Sequence, residues 1–359
     1  MINVTQTYLP PFDEYISVLK RAWDNKWVTN NGELVQELER KLKDLIQNQH
    51  LLFCTNRTIV LQMALKAFGI TKEIITTPFS YVATTNVIVW ENCTPVFVDI
   101  DPYTFCIDAS KIEEKITPKT EAILATHVYG FPCDVEKIEA LAKKYNLKVI
   151  YDAAHAFGCT YKGESLLNYG DISTCSFHAT KVFHTVEGGC VVTKSEEVYK
   201  KLFLYRSFGH IADDYFSVGV NGKNSEFHAA MGLSILPYMS FIIKERKRVT
   251  DLYNQLLPTQ IKKPFFDYVD FEYNYSYYPV IFETEEAMLI VKNILLKNEI
   301  NTRRYFYPSL NTLSHITGVK DSCPVSEDYS KRVLCLPLFA ELADKDVERI
   351  CKIITGCVV

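Results

Sequence analysis

Lys148-Val149-Ile150-Tyr151-Asp152-Ala153-Ala154-His155-Ala156 opens a stretch that resumes at Asp171-Ile172-Ser173-Thr174-Cys175-Ser176-Phe177-His178-Ala179-Thr180-Lys181 and closes on Glu187-Gly188-Gly189. The apolar run before Asp152 predicts a buried strand with an acid at its carboxyl end. The run from Asp171 to His178 predicts a second strand, leading into Thr180 and Lys181. In an open α/β sheet, the carboxyl ends of parallel strands face one ligand crevice. Asp152 and Lys181 are therefore expected in the same site. Taken singly, an Asp closing a strand is more often a helix cap, and a Lys after a strand is more often solvated.

Outward from this stretch the pattern repeats. Helical spacing joins Leu34, Leu38, Leu42, Leu45 and Ile46, and a second helix follows Thr58 and ends at Gly69. Strands are expected at Glu73–Thr77, Pro95–Ile100 and Ala122–Thr126. Asp134 is placed to cap a helix with apolar residues Val135, Ile138, Leu141, Ala142 and Tyr145, and Cys190–Thr193 adds another strand. Strand and helix in alternation predict a mostly parallel sheet covered on both faces. From residue 225 the texture changes. One long helix is expected over Ser225–Tyr253, broken by Pro237, then strands at Tyr277–Phe282, Thr302–Tyr307 and Val333–Leu336. Helices are expected at Glu285–Lys297, capped by Thr284, and at Asp346–Ile354. The division expected is a large domain over 1–235 and a small α+β domain over 236–359.

The 359 residues are 48% hydrophobic and 23% charged, which excludes disorder, and a net charge of −4 excludes a strongly basic nucleic-acid binder. No uninterrupted apolar run reaches the roughly 18 residues of a membrane span. Eleven cysteines without Cys-x-x-Cys spacing read as buried small hydrophobes rather than a disulfide framework or a metal site. Met1 to Thr5 shows no cationic or apolar leader, so the expected location is the cytoplasm, with neither nucleic acid nor membrane as a partner. Dinucleotide, P-loop, serine-elbow and zinc-protease motifs are all absent.

An Asp and a Lys in one crevice suit pyridoxal 5′-phosphate: the Lys forms a Schiff base and the Asp keeps the ring nitrogen protonated. The literal residues go further. Asp152-Ala153-Ala154-His155-Ala156, Gly170-Asp171, Ser176-Phe177-His178-x-Thr180-Lys181 and Glu187-Gly188-Gly189 resemble, in order and spacing, the DegT/StrS family of pyridoxal-phosphate-dependent nucleotide-sugar aminotransferases. Trp27–Gly32, Thr77–Thr84, Pro95–Asp101, His127–Gly130, Gly219–Lys223 and Arg303–Tyr305 extend the resemblance over nearly the whole chain.

The resemblance implies an aspartate aminotransferase-like (fold type I) large domain with a mostly parallel seven-stranded sheet. It implies Lys181 as Schiff-base lysine and proton shuttle, Asp152 on the ring nitrogen and His155 near the ring's phenolic oxygen. Tyr81 would stack on the ring; Ser176 and Thr58 would bind phosphate, with His178 beside them. Asn221 would reach the cofactor of the neighbouring subunit in a homodimer. Trp27, Asn30, Lys223, Arg303, Arg304, Tyr305 and Tyr307 are candidates for the sugar nucleotide. No metal is implied. Where relatives carry glycine, this chain has Arg57. The reading taken is an Arg57 that faces solvent from an ordinary helical backbone, the alternatives being an altered phosphate pocket or a guanidinium on the phosphate. L-glutamate is the implied donor. The wording around Leu9-Pro10-Pro11, Ala125–Gly130 and Cys133-Asp134 is most similar to enzymes acting on dTDP-4-keto-6-deoxyglucose, which supply an amino sugar for O-antigen and other surface polysaccharides. A 3-keto dTDP-sugar, a UDP-sugar, a non-catalytic binding protein and a lyase of related fold are the other readings.

Overall fold

The computed structural model describes residues 1–266, 269–316 and 321–358. The chain opens with α1 (Phe12–Asn25) and α2 (Glu33–Ile46), then β1 (Leu51–Cys54), α3 (Arg57–Ala67), β2 (Glu73–Thr76), α4 (Ala83–Trp90), β3 (Thr94–Phe97), β4 (Thr120–Thr126), α5 (Val135–Tyr145) and β5 (Lys148–Asp152). A small hairpin of β6 (Thr160–Tyr161) and β7 (Glu164–Ser165) precedes β8 (Ile172–Ser176), β9 (Gly189–Thr193) and α6 (Glu196–Arg206). A second hairpin, β10 (His210–Ile211) with β11 (Asp214–Tyr215), leads to α7 (Glu226–Ile235) and α8 (Met239–Leu256). The remainder comprises β12 (Phe271–Glu272), β13 (Tyr278–Ile281), α9 (Glu285–Lys297), α10 (Pro324–Arg332), β14 (Val333–Leu336) and α11 (Asp344–Val358).

Seven strands form the central sheet in the order β1-β9-β8-β5-β4-β2-β3. β9 is antiparallel to both its neighbours and every other pairing is parallel. Successive side chains of a strand point to opposite faces, and both faces here are buried. Phe53, Ile75, Ile123 and Tyr151 join the helices α2, α5 and α7 on one face. Leu52, Ile74, Leu124 and Ile150 join α3, α4 and α6 on the other. Two-sided burial explains why these strands read as continuous apolar runs rather than alternating ones. Each fully buried Leu or Ile contributes roughly 1.5–3 kcal/mol over an exposed one.

Helix ends follow local chemistry. Asp134, Ser195 and Thr284 cap α5, α6 and α9 through their side chains. α3 begins at Arg57, one residue before the expected Thr58, because Asn56 is its cap and accepts from the Ile59 N–H at 3.0 Å. α2 is capped from across the molecule: Glu226, the first residue of α7, accepts from the N–H groups of Leu34 at 2.7 Å and Val35 at 3.3 Å. Pro237 breaks the expected long helix into α7 and α8 at a single 3-10 turn, Leu236–Tyr238. By length and composition Glu226–Leu256 is the one stretch among the described residues apolar enough to cross a membrane; it is interrupted by this turn and more than half buried inside the fold.

Beyond α7, Val249, Tyr253, Tyr278, Val280, Val291, Leu295, Leu334 and Ile350 share a separate apolar cluster under the β13–β14 pair. One expected strand is absent. Thr302–Tyr307 makes a single bridge between Arg303 and Cys335 and then turns, because the Tyr305 N–H bonds back to the Arg303 carbonyl at 3.1 Å.

Candidate active site

β5 and β8 are parallel neighbours with Asp152 opposite Thr174, so Asp152 and Ser176 finish at the same edge of the sheet. Past β8 the chain folds back on itself: the Thr185 N–H reaches the Phe177 carbonyl and the Lys181 N–H reaches that of His178. Phe177 anchors this turn, buried against Phe53, Phe157 and Phe183. Lys181 is thereby returned to the sheet edge. Gly189, opposite Ser176, lets α3 close on the sheet. A Cβ there would sit 2.8 Å from the Arg57 backbone nitrogen. That contact gives a steric reason for the second glycine of Glu187-Gly188-Gly189.

These elements enclose a cavity of about 260 Å³, lined on the sheet side by Asn56, Arg57, Thr58, Tyr81, His155, Ser176, His178 and Lys181. Tyr277, Arg303, Tyr305 and Phe306 close the other side. Lys181 Nζ donates to the Tyr277 hydroxyl at 3.2 Å. Burial, reinforced by the Arg57 charge and opposed by Asp152, pushes its pKa down to about 8. An amine with that value has a far larger neutral fraction near physiological pH than an ordinary lysine, and the neutral form is the one a nucleophile requires. His155 is buried, and its Nδ1 accepts from the Tyr129 N–H at 3.2 Å, which assigns its ring proton to Nε2 when neutral. Burial first, then the Lys181 and Arg57 charges, hold it well below the usual imidazole range.

Arg57 overturns the expectation of a solvent-facing side chain. It is buried, and its Nη1 donates to Asp152 Oδ2 and, at 3.2 Å, to Thr84 Oγ1. Thr84 donates to the same carboxylate oxygen, and Oδ1 accepts from the Ala154 N–H at 3.2 Å. The physical reason is the carboxylate itself. Asp152 is 1% exposed, and a carboxylate so deep requires a counterion. The backbone at Arg57 is ordinary helix, as expected.

The other expected residues divide. Thr58 lines the cavity at the start of α3, half-exposed Tyr81 borders it and Ser176 lies buried beside it. His178 sits at the rim, its Nδ1 2.9 Å from Thr180 Oγ1 and its Nε2 3.6 Å from Glu187. The Arg303 guanidinium lies 4.5 Å over the Tyr305 ring within the cavity wall. Arg304 points elsewhere, donating to Glu285 and the Lys331 carbonyl and stacking 3.4 Å over Tyr307. Of the two arginines only Arg303 lines the cavity. Trp27, Asn30, Asn221 and Lys223 lie outside this cavity, on exposed or partly exposed segments.

Sequence reasoning missed Tyr277, Thr84 and Phe306. Tyr277 is set by its neighbours: Asn274 and Ser276 both donate to the His155 carbonyl, at 2.8 and 2.5 Å. Its one sequence signal was the aromatic run Tyr273–Tyr278, which reads equally as packing.

An amine, a buried carboxylate, a hydroxyl beside a helix N-terminus and an aromatic rim form a donor set that fits an aldehyde, a basic ring nitrogen and a phosphate on one planar group. Fold and site together are those of an enzyme of the fold type I class, with a partly buried lysine near a buried aspartate. The model of the DegT/DnrJ/EryC1/StrS aminotransferase family matches residues 13–355, and the chain belongs to that family. It is 42% identical over 358 residues to the dTDP-4-amino-4,6-dideoxy-D-glucose transaminase of Shigella dysenteriae, covering 97% of each chain. It is 40% identical over 367 residues to the Escherichia coli protein of the same name, covering 99% of this chain and 98% of that one. Among solved structures, DesI in the presence of its TDP-sugar product superposes with a TM-score of 0.94 at 29% identity, covering 99% of this chain and 93% of that one.

Proposed function

We propose that this aminotransferase moves the amino group of L-glutamate to C4 of dTDP-4-dehydro-6-deoxy-D-glucose, giving dTDP-4-amino-4,6-dideoxy-D-glucose, with pyridoxal 5′-phosphate as its cofactor. The observation that carries this reading is the convergence of Lys181, Ser176 and the α3 N-terminus on one cavity, with Asp152 buried against Arg57 of the cavity wall. The two transaminases at 40–42% identity support the choice of sugar and nucleotide.

When bound, pyridoxal phosphate supplies an electron sink and an amine carrier. Lys181 would hold it covalently and, once displaced by the donor, move a proton at the reacting carbon from Nζ. A pKa near 8 suits that acid–base role. Asp152 would face the ring nitrogen, Ser176, Thr58 and the first N–H groups of α3 the phosphate, and Tyr81 the ring face. His155, kept neutral, presents an Nε2–H donor. Arg303 would take the diphosphate of the sugar nucleotide, for which its fork of donors is suited.

A shared site in a homodimer is part of this reading. Its support is that Trp27, Asn221 and Lys223 lie off this chain's own cavity, and that Trp23, Tyr215, Phe216 and Val218, close to them in sequence, are exposed large apolar side chains. Eleven free cysteines, ten of them buried, support a reducing cytoplasm. The two-domain division at residues 235 and 236 also belongs to the proposal.

The test is the visible spectrum of the protein with pyridoxal phosphate. L-glutamate is expected to shift the lysine-bound band to the shorter-wavelength amine form, and dTDP-4-dehydro-6-deoxy-D-glucose to restore it faster than 3-keto or UDP-linked sugars. A band unmoved by glutamate overturns the donor, and restoration by a UDP-sugar alone overturns the acceptor.

A further inference from the structure

Arg57 and Lys181 both face Asp152, but only one of them pairs with it. Arg57 takes Oδ2, with Thr84 beside it, while Lys181 Nζ bonds the uncharged hydroxyl of Tyr277. The groups around Lys181 are Arg57 from α3, Asp152 and His155 from the end of β5, Cys175 on β8, Tyr81 ahead of α4 and Tyr277 ahead of β13. Arg57 and Asp152 are the charged pair among them.

We propose that Arg57 is a positioning residue that acts on Lys181 through Asp152: by taking the carboxylate as its own partner, the guanidinium leaves Lys181 without a counterion and favours the free amine at Nζ before any cofactor arrives. The proposal rests on the reading of Lys181 as the amine that carries pyridoxal phosphate. In that condensation the Nζ lone pair attacks the aldehyde carbon, a C=N bond replaces C=O, the two amine protons are lost and the aldehyde oxygen leaves as water. A protonated Nζ has no lone pair to give. With glycine at position 57, the cation nearest to Asp152 would be Lys181 itself, and an opposite charge at close range favours the ammonium form. Arginine keeps its charge at any working pH, so the arrangement holds wherever the fold holds. The direction of the Lys181 shift agrees: burial lowers it most, Arg57 lowers it further and Asp152 raises it.

The experiment uses the full chain stripped of cofactor and mixed rapidly with pyridoxal phosphate between pH 6 and 10, reading the rate at which the visible band grows. The wild-type rate is expected to rise with a midpoint near pH 8. Arg57→Gln is expected to move the midpoint up by about one unit and to slow the reaction about tenfold at pH 7. Arg57→Lys, which keeps the cation, is expected to stay near the wild-type midpoint. In Arg57→Gln/Asp152→Asn the carboxylate that raises the value is also gone, and the midpoint is expected to fall back. A merely misfolded Arg57→Gln would gain nothing from a second lesion. An unmoved midpoint in Arg57→Gln, or a double variant whose midpoint stays with that of the single one, overturns the proposal. A wild-type protein that forms no band overturns instead the cofactor reading beneath it.

Discussion

The two walls of the cavity are built on different principles. On the sheet wall, Ser176 and Lys181, with Asp152 buried behind Arg57, are fixed by strand register and by one hydrogen-bonded turn. On the opposite wall, Tyr277, Arg303, Tyr305 and Phe306 come from segments outside regular strands and helices, held by rings. Tyr129 and Phe306 lie nearly parallel at 5.7 Å, Tyr277 and Tyr305 meet edge-on at 5.5 Å, and the Tyr129 hydroxyl holds the Tyr305 carbonyl. Register fixes atoms to fractions of an ångström, as proton transfer and covalent attachment require. Ring packing is cohesive yet adaptable. In the proposed function the sheet wall would carry the chemistry and the aromatic wall the choice of acceptor.

The largest test of that division is Lys181→Ala. Loss of nucleophile and proton shuttle together is expected to lower amino transfer by more than about 10³-fold, while calorimetry shows the nucleotide sugar still binding. Lost sugar binding would merge the two walls. Asp152→Asn comes next, for stability as well as rate. It strands the buried Arg57 without a counterion, at a cost of roughly 3–5 kcal/mol, and thermal melting of the cofactor-free protein checks it. The smallest effect sharpens the aromatic wall: Arg303→Ala is expected to raise the KM for the sugar nucleotide about tenfold, one charge-assisted contact's worth, with the visible band unaltered. Arg304→Ala, whose guanidinium is held by Glu285, is expected to change KM less than about twofold. Equal effects at 303 and 304 would show that the observed facing is not the one that binds.

The same contrast explains what could be read in advance. Asp152 and Lys181 were legible because a strand end and a turn are short-range features, and their joint location follows from parallel pairing. β1 was not read, although its four residues are apolar and buried like those of β14, which was. The direction of Arg57 was hidden from the sequence. A first-turn side chain points wherever its strongest partner lies, and that partner stands 95 residues further along the chain. The strand expected at Thr302–Tyr307 failed because β propensity does not report where a chain bonds back on itself. With it went the means of telling Arg303 from Arg304.

The cap that Glu226 places on α2 bears on how this chain is made. Its partners are 191 and 192 residues apart, and β1 likewise has its only sheet neighbour in β9, some 140 residues later. At roughly 5–20 residues per second of synthesis, α2 leaves the ribosome roughly ten to forty seconds before its cap exists. The first fifty residues are thus nascent chain in waiting, amphipathic and undocked, and the edge of the sheet closes only after the central strands have been laid down. A ribosome paused with β9 just clear of it would hold a half-made protein whose sheet edge had gained β9 while its first helices still lacked α7.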